Sequence, residues 1–236
     1  MSPKLTKSAV VTGAGRGIGR ALVEELSARN YRIGAVVRDP SHVDELTALP
    51  GVSVLVADIM VPETESRLSS FLDESFDKVD LLINNAGFGA RNYGIDGLDY
   101  QELQRLLDIH CFGAIRCVKG CLPHLRRSEQ ATIINMSSRF GSLEWVARGV
   151  VPHQQATYPY RIAKAAMNMF TSCLAIELQE EGIRVVSMDP GKVKTRFGPV
   201  DADVEPSEAA RSILSVSENL SDTGLFIHAS GDKVPW

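Results

Sequence analysis

Short unbroken apolar runs recur along the chain at Ala9–Val11, Ile33–Val37, Val52–Val56, Leu81–Ile83, Thr132–Met136, Val185–Met188 and Leu225–His228. Runs of this length without polar alternation are what strands buried on both faces require, as in a parallel sheet. Between them lie longer stretches with helical spacing of apolar positions: Gly17–Arg29, Glu63–Phe76, Tyr100–Leu122 and Ala156–Glu181, with a shorter one at Ser207–Asn219 before the last run. Alternating strand and helix signals predict right-handed crossovers and one α/β domain: a doubly wound, mainly parallel, seven-stranded sheet with helices on both faces. The segments richest in glycine and proline, Gly87–Leu98, Arg139–Pro159 and Gly191–Pro206, each follow a strand. An open α/β sheet places its ligand crevice at those strand ends.

The remaining composition narrows the function. A chain of 236 residues, 44% hydrophobic and 23% charged, has the balance of an ordinary globular protein. A net charge of −4 with the two signs interspersed gives no basis for a nucleic-acid groove or a membrane-binding face. No apolar run approaches the roughly 20 residues of a membrane helix, and the first residues carry no secretory pattern, so a soluble, cytoplasmic protein is expected. Cys111, Cys117, Cys121 and Cys173 form no CxxC pair, and no His/Cys pair follows at zinc-like spacing. Reduced, partly buried thiols and no metal site are expected.

The first strand runs into Thr12-Gly13-Ala14-Gly15-Arg16-Gly17-Ile18-Gly19, where a helix begins. A strand, a tight glycine turn and a helix N-terminus together let backbone approach a diphosphate and offer it unpaired N–H groups. This is the Rossmann-type arrangement, and it assigns Gly13, Gly15, Arg16, Gly17, Ile18 and Gly19 to a dinucleotide. The second strand ends in Val37-Arg38-Asp39. An acid at the discriminating position would bind a ribose 2′-OH; here Val37 stands there, and Arg38, helped by Arg16, suits a 2′-phosphate. NADPH is therefore expected in preference to NAD. Asp39 leaves two readings open: an NAD-type acid displaced by two positions, or an ion-pair partner of Arg38.

Tyr160 and Lys164 stand four apart at the start of a long helical stretch, hence on one helix face. A phenol with an ordinary pKa near 10 is a poor acid-base catalyst at neutrality, and a nearby ammonium is expected to lower it. Lys164 can also hold a cofactor ribose. Ser138, just past the fifth strand, can donate to a substrate oxygen, whereas Ser137 would point the other way if the strand continued.

Taken in order along the chain, these residues resemble the short-chain dehydrogenase/reductase family over nearly the whole length. The pattern TGxxxGxG falls on Thr12–Gly19. The resemblance places the adenine-contacting acid at Asp58, with Ile59 beside it, and the NNAG motif at Asn84, Asn85, Ala86 and Gly87. Ser-x-x-Gly falls on Ser138 and Gly141, YxxxK on Tyr160 and Lys164, and PGxVxT on Pro190, Gly191, Val193 and Thr195. In finer detail, Tyr158–Asn168 and the C-terminal Gly231–Trp236 look like the C-factor and Sniffer-type carbonyl reductases. Two departures stand out. His110 occupies the place of the family's fourth catalytic residue, an Asn that supports a water leading protons to the lysine; a histidine there would keep, alter or break that relay, or simply pack. The 22 residues from Ser138 to Tyr160 exceed the family's usual spacing, and the extra segment contains Trp145 and His153.

The resemblance implies NADPH-dependent reduction of a ketone, aldehyde or quinone, with Tyr160 as general acid, Ser138 holding the oxygen and Lys164 tuning the phenol. The nicotinamide is expected near Gly191, Val193 and Thr195. Phe88, Arg91, Tyr93, Trp145, His153 and Phe197 are expected to line or cover a small-molecule carbonyl substrate, with Thr195–Pro206 as a short lid. Two rivals are an NADPH-binding sensor with little turnover and an NAD-dependent alcohol dehydrogenase. A homodimer is expected, through the helices holding Tyr100–Leu122 and Ala156–Glu181, with a monomer as the alternative.

Overall fold

The computed structural model describes residues 7–89, 94–152, 156–196, 198 and 200–236. Seven strands form one sheet: β1 (Ser8–Thr12), β2 (Arg32–Val37), β3 (Val52–Val56), β4 (Leu81–Asn84), β5 (Thr132–Met136), β6 (Arg184–Asp189) and β7 (Leu225–His228). Their order is β3-β2-β1-β4-β5-β6-β7, and every pairing is parallel. The order reverses between β1 and β4, so a crevice opens there at the C-terminal strand ends.

The helices are α1 (Gly17–Ala28), α2 (Val43–Thr47), α3 (Thr64–Ser75), α4 (Tyr100–Leu107), α5 (Gly113–Leu125), α6 (Leu143–Ala147), α7 (Tyr158–Glu177) and α8 (Pro206–Glu218). Helices α1 and α8 pack together, as do α3 and α5. The sheet separates two apolar cores. One joins Leu22, Leu26, Ile33, Ile83, Met188 and Ile213; the other joins Leu68, Leu72, Leu82, Ile133, Cys117 and Leu174. Side chains of each central strand alternate between these cores, which explains why the strands read as continuous apolar runs. No described helix is long and apolar enough to cross a membrane.

Three local features depart from the expected elements. The stretch Tyr100–Leu122 is not one regular α-helix: Asp108–Phe112 widens into π-type geometry between α4 and α5. At the close contact there, a side chain on Gly113 would lie 2.7 Å from Ile59 Cδ1. The loop expected over Arg139–Pro159 contains a 3-10 turn, Arg139–Gly141, and then α6, whose N-terminus Ser142 caps by accepting from Trp145 N at 3.1 Å. The carbonyl of Trp236 accepts from Glu144 N at 2.9 Å, tying this inserted segment to the last residue. Finally, Asp39 caps a 3-10 turn at Pro40–His42, which leads into α2.

A buried polar ladder crosses the sheet. Asn84 Nδ2 donates to Asn135 Oδ1 at 2.8 Å, and Asn135 Nδ2 donates to Thr171 Oγ1 at 2.9 Å. Ser187 Oγ donates to the same Thr171 oxygen at 2.9 Å, and Thr171 donates to Met167 O at 2.9 Å. Four elements, β4, β5, β6 and α7, are thus fixed in mutual register by groups that would be costly to leave unpaired.

Candidate active site

The glycine turn is built by backbone proximity. Gly13 has φ +66, and a Cβ on it would lie 2.8 Å from Ala86 Cα. A Cβ on Gly19 would collide with the Gly13 carbonyl. Thr12 fastens the turn to the end of β4: its hydroxyl accepts from Asn85 N and Ala86 N, each at 3.0 Å, while Asn85 Nδ2 donates to Thr12 O at 2.9 Å. Arg16 begins α1 in an extended conformation and gives it no side-chain cap. The first-turn N–H groups are therefore left for an anion, and the turn fits a dinucleotide diphosphate. Ile18 packs against the core. Thr195 comes to the same turn from across the crevice, its Cγ2 3.4 Å from where a Gly17 Cβ would stand.

At the end of β2, Arg38 is exposed. Asp39 caps the turn that follows rather than pairing with Arg38. Its Oδ1 accepts from Ser41 N at 3.0 Å, and that hydrogen bond holds its carboxyl below the usual range. The acid is a helix cap. After β3, Asp58 caps its own loop by accepting from Met60 N at 3.0 Å, and Ile59 buries its side chain in the core against Gly113.

The catalytic candidates lie at the ends of β5 and β6. Thr157 caps α7, and Pro159 in the first turn suits the helix start, so Tyr160 and Lys164 follow on one face. Ser138 is buried, accepts from Phe140 N at 3.4 Å, and lies near enough to Tyr160 to draw its pKa down. Ser137 points away: its hydroxyl donates to Asn168 Oδ1 at 2.6 Å, and Asn168 Nδ2 donates to Gly141 O at 3.1 Å. The Lys164 ammonium is 4% exposed and donates to Met136 O at 2.6 Å, with Nζ 5.5 Å from the centre of the Tyr160 ring.

The electrostatics reverse one expectation. Lys164 does not bring the phenol down. Burial, with Asp189 adding to it, pushes Tyr160 up to about 12, against a smaller opposing pull from Ser138. Burial draws Lys164 down to about 7, partly offset by Asp189. The phenol therefore stands as a neutral proton donor, and the lysine is the group of the pair whose charge changes near neutrality. Asp189 is itself held by Arg139 Nε at 2.9 Å and by Gly191 N at 3.1 Å. It was not foreseen from sequence, nor was Asn168. The only available signal for either was proximity to a motif, Asp189 preceding Pro190-Gly191 and Asn168 standing four after Lys164.

His110 sits in the π-type stretch, buried, with Nε2 2.8 Å from Phe88 O. Burial, with the Lys164 charge next, lowers its pKa well below the usual value, so the ring is neutral and Nε2–H donates to that carbonyl. Nδ1 is then a buried acceptor with no protein partner among the described residues. The ring meets Tyr160 edge-on, centroids 5.5 Å apart, and a side chain on Gly87 would collide with it. A relay whose pH dependence comes from this histidine near neutrality is not what the geometry favours.

Pro190 and Gly191 follow β6, Gly191 with φ +82, and Val193 is buried and bridged to Val204. Salt bridges Lys192–Asp201 and Lys194–Glu205 clasp the same segment. Of the expected lining residues, Phe88 lies between Arg105 and His110, and Trp145 is half-buried on α6. Arg91, Tyr93, His153 and Phe197 lie outside the described residues. Cys111, Cys117 and Cys121 are buried and Cys173 is exposed, all as free thiols; burial pushes Cys117 up to about 12 and Cys121 well above its usual value, which disfavours the thiolates a metal would need. No group of metal-ligating side chains occurs among the described residues.

Comparison with known proteins agrees with this geometry. Residues 7–203 match the short chain dehydrogenase family. The C-signal protein of Myxococcus xanthus is 33% identical over 160 residues, covering 67% of this chain and 93% of that protein. A 1,6-dihydroxycyclohexa-2,4-diene-1-carboxylate dehydrogenase of Pseudomonas putida is 32% identical over 205 residues, covering 86% and 72%. An NADPH-bound carbonyl reductase from chicken fatty liver superposes with a TM-score of 0.89 at 30% identity, covering 98% of this chain and 100% of that one. The carbonyl reductase Sniffer of Drosophila melanogaster gives 0.87 at 25% identity, again covering 98% and 100%. With a glycine turn fastened to β4, a tyrosine and lysine sharing a face of α7, and carbonyl-reductase relatives that match along nearly its whole length, this chain belongs to the short-chain dehydrogenase/reductase family of oxidoreductases.

Proposed function

We propose that this protein is an NADPH-dependent carbonyl reductase acting on a ketone, aldehyde or quinone. The observation that carries the reading is the pairing of Tyr160 with the buried Lys164 on one face of α7, Nζ 5.5 Å from the centre of the phenol ring, with Ser138 near them at the mouth of a crevice whose other wall is the glycine turn. When bound, the dinucleotide supplies the hydride that reduces the carbonyl carbon. Gly13, Gly15, Gly17, Gly19 and the start of α1 would grip its diphosphate, with Arg16 and Arg38 at a 2′-phosphate. Asp58, Ile59, Asn85, Ala86 and Gly87 would line its path, and Pro190, Gly191, Val193 and Thr195 would flank its reactive end.

The chain's own groups then have distinct tasks. Ser138 donates a hydrogen bond to the substrate oxygen and holds it against Tyr160. Tyr160, kept protonated by its surroundings, passes its proton to that oxygen as negative charge develops there. Lys164 fixes a ribose and, when charged, stabilises the phenolate that proton transfer leaves behind. His110 carries a neutral acceptor, Nδ1, able to hold a water or hydroxyl for reprotonation. The residues serve either direction; a high NADPH level favours reduction.

The capping role of Asp39 supports NADPH over NAD, because that carboxylate is already engaged. The segment Gly191–Pro206 is assigned to the substrate rim. The exposed apolar residues Ile162, Met169 and Ile176 on α7, with Phe112 nearby in sequence to α5, support a homodimer through these helices. The free thiols suit a reducing, cytoplasmic setting.

The experiment is NADPH consumption with a panel of ketones, aldehydes and quinones. Turnover that disappears in Tyr160→Phe supports the reading. Tight NADPH binding with no turnover on any carbonyl supports the sensor instead, a reading favoured by one observation: His110 tied to Phe88 where the family has its relay Asn.

A further inference from the structure

The turn that Asp39 caps does more than begin α2. It folds the chain back so that the ring of His42 lies on the glycine turn itself. A Cβ on Gly15 would collide with His42 Cδ2 and stand 2.9 Å from both Cγ and Nε2. The ring is half-buried against the glycine turn. It is flanked in sequence by Arg38 on one side, and the residue it touches is followed by Arg16. Asp39 is influenced by both His42 and Arg38, which places the two side chains on one small patch.

The acidic groups around this patch already have partners. Asp39 accepts from Ser41 N at 3.0 Å. Glu45 on α2 pairs with Arg20 of α1 at 3.3 Å, and Glu24 pairs with the same Arg20 at 2.7 Å. Asp44 is the remaining acid next to His42 along α2. Gly15 of the turn lies against the ring, and the charged groups on the elements around it are Arg16 beside that turn, Arg20 and Glu24 on α1, Arg38 and Asp39 at the end of β2, and Asp44 and Glu45 on α2.

We propose that His42 is a specificity-determining residue for the cofactor: its imidazole contacts the 2′-phosphate of NADPH together with Arg16 and Arg38. This rests on the NADPH reading above and deepens it. An imidazole ring N–H can donate a hydrogen bond to a phosphate oxygen beside the two arginine cations. NADH lacks that phosphate, so the contact favours NADPH over NADH.

The test is direct binding of NADPH and of NADH, followed by nicotinamide fluorescence, to the full chain and to His42→Gln and His42→Lys. Expected is an NADPH affinity about three- to tenfold weaker in His42→Gln, with NADH affinity within about twofold. His42→Lys should hold NADPH. Equal losses for NADPH and NADH would make the ring an adenosine-packing group and overturn the proposal, as would an unchanged preference in His42→Gln. Failure of the cofactor reading shows separately, in the unaltered chain, as NADH bound at least as tightly as NADPH; the inference then falls with it.

Discussion

The two ends of the crevice are made by opposite means. At the β1–α1 end the site consists of backbone brought close by missing side chains, with Thr12 and Asn85 as fasteners. Charge there stands near solvent, on Arg38 and the residues around it. At the β5–α7 end the site consists of side chains buried deeply enough to shift two ionisations, with Lys164 at about 7 and Tyr160 at about 12. On the proposed function, one end recognises a fixed anion with little electrostatic strain, and the other keeps a costly ammonium out of water so that its charge acts on the reacting oxygen. Binding and chemistry should therefore be separable by mutation.

The strongest attempt to break that separation is Tyr160→Phe. It should lower kcat by about 10²- to 10⁴-fold while NADPH affinity, measured by fluorescence titration, stays nearly unchanged. A parallel collapse in NADPH binding would show that the two ends are one unit. Next in size is Arg38→Ala, expected to weaken NADPH about 10- to 100-fold, leaving kcat at saturating cofactor intact. Unchanged NADPH binding would move the discriminating cation elsewhere.

A pH profile sharpens the comparison further. Because Tyr160 stays protonated far above neutrality, the alkaline limb of carbonyl reduction should come from Lys164. The rate should fall by up to about tenfold per pH unit as pH rises past about 7, and Lys164→Gln should flatten that limb on a much lower baseline. The same shift bears on stability. The folded lysine pKa lies below its unfolded value of 10.5, so between about 7 and 10.5 the unfolded chain binds the extra proton. Stability in urea should rise with pH across that window. Above pH 10 the raised Tyr160 acts in the opposite sense, since the unfolded chain loses a proton that the native phenol keeps. The smallest effect is expected of His110→Asn, which keeps a side chain able to reach Phe88 O: activity within about tenfold and a modest fall in stability. His110→Ala leaves that carbonyl without its donor and should cost about 1–3 kcal/mol in urea unfolding.

What the sequence made legible follows the same division. All seven strands were readable because each central strand is covered on both faces, and the glycine turn because missing side chains leave a mark in the sequence. Tyr160, Lys164 and Ser138 were readable as types at a spacing, but not their ionisation, which depends on how much protein lies over them. The short helices α2 and α6 escaped notice because each is too short for its periodicity to show; Ser142 caps α6 before Leu143, and α2 follows the 3-10 turn that Asp39 caps before Pro40. Reading Asp39 as the cap of a turn would have brought His42 back toward Gly15. The π-type stretch at Asp108–Phe112 left no such trace, since a contact at Gly113 with the distant Ile59 accompanies it.

The Asn84–Asn135–Thr171–Ser187 ladder has a mechanical consequence for the proton donor. A helix packed by apolar contacts alone can ratchet by about 5.4 Å, one turn, and find another set of grooves. Here such a slip strands Asn135 and Ser187 without their shared hydroxyl, so α7 has a single permitted seat along its axis. The phenol near its N-terminus inherits that indexing. Thr171→Val should accordingly blur the placement of a group three helical turns away, with hydrogen exchange along α7 quickening before the sheet loosens.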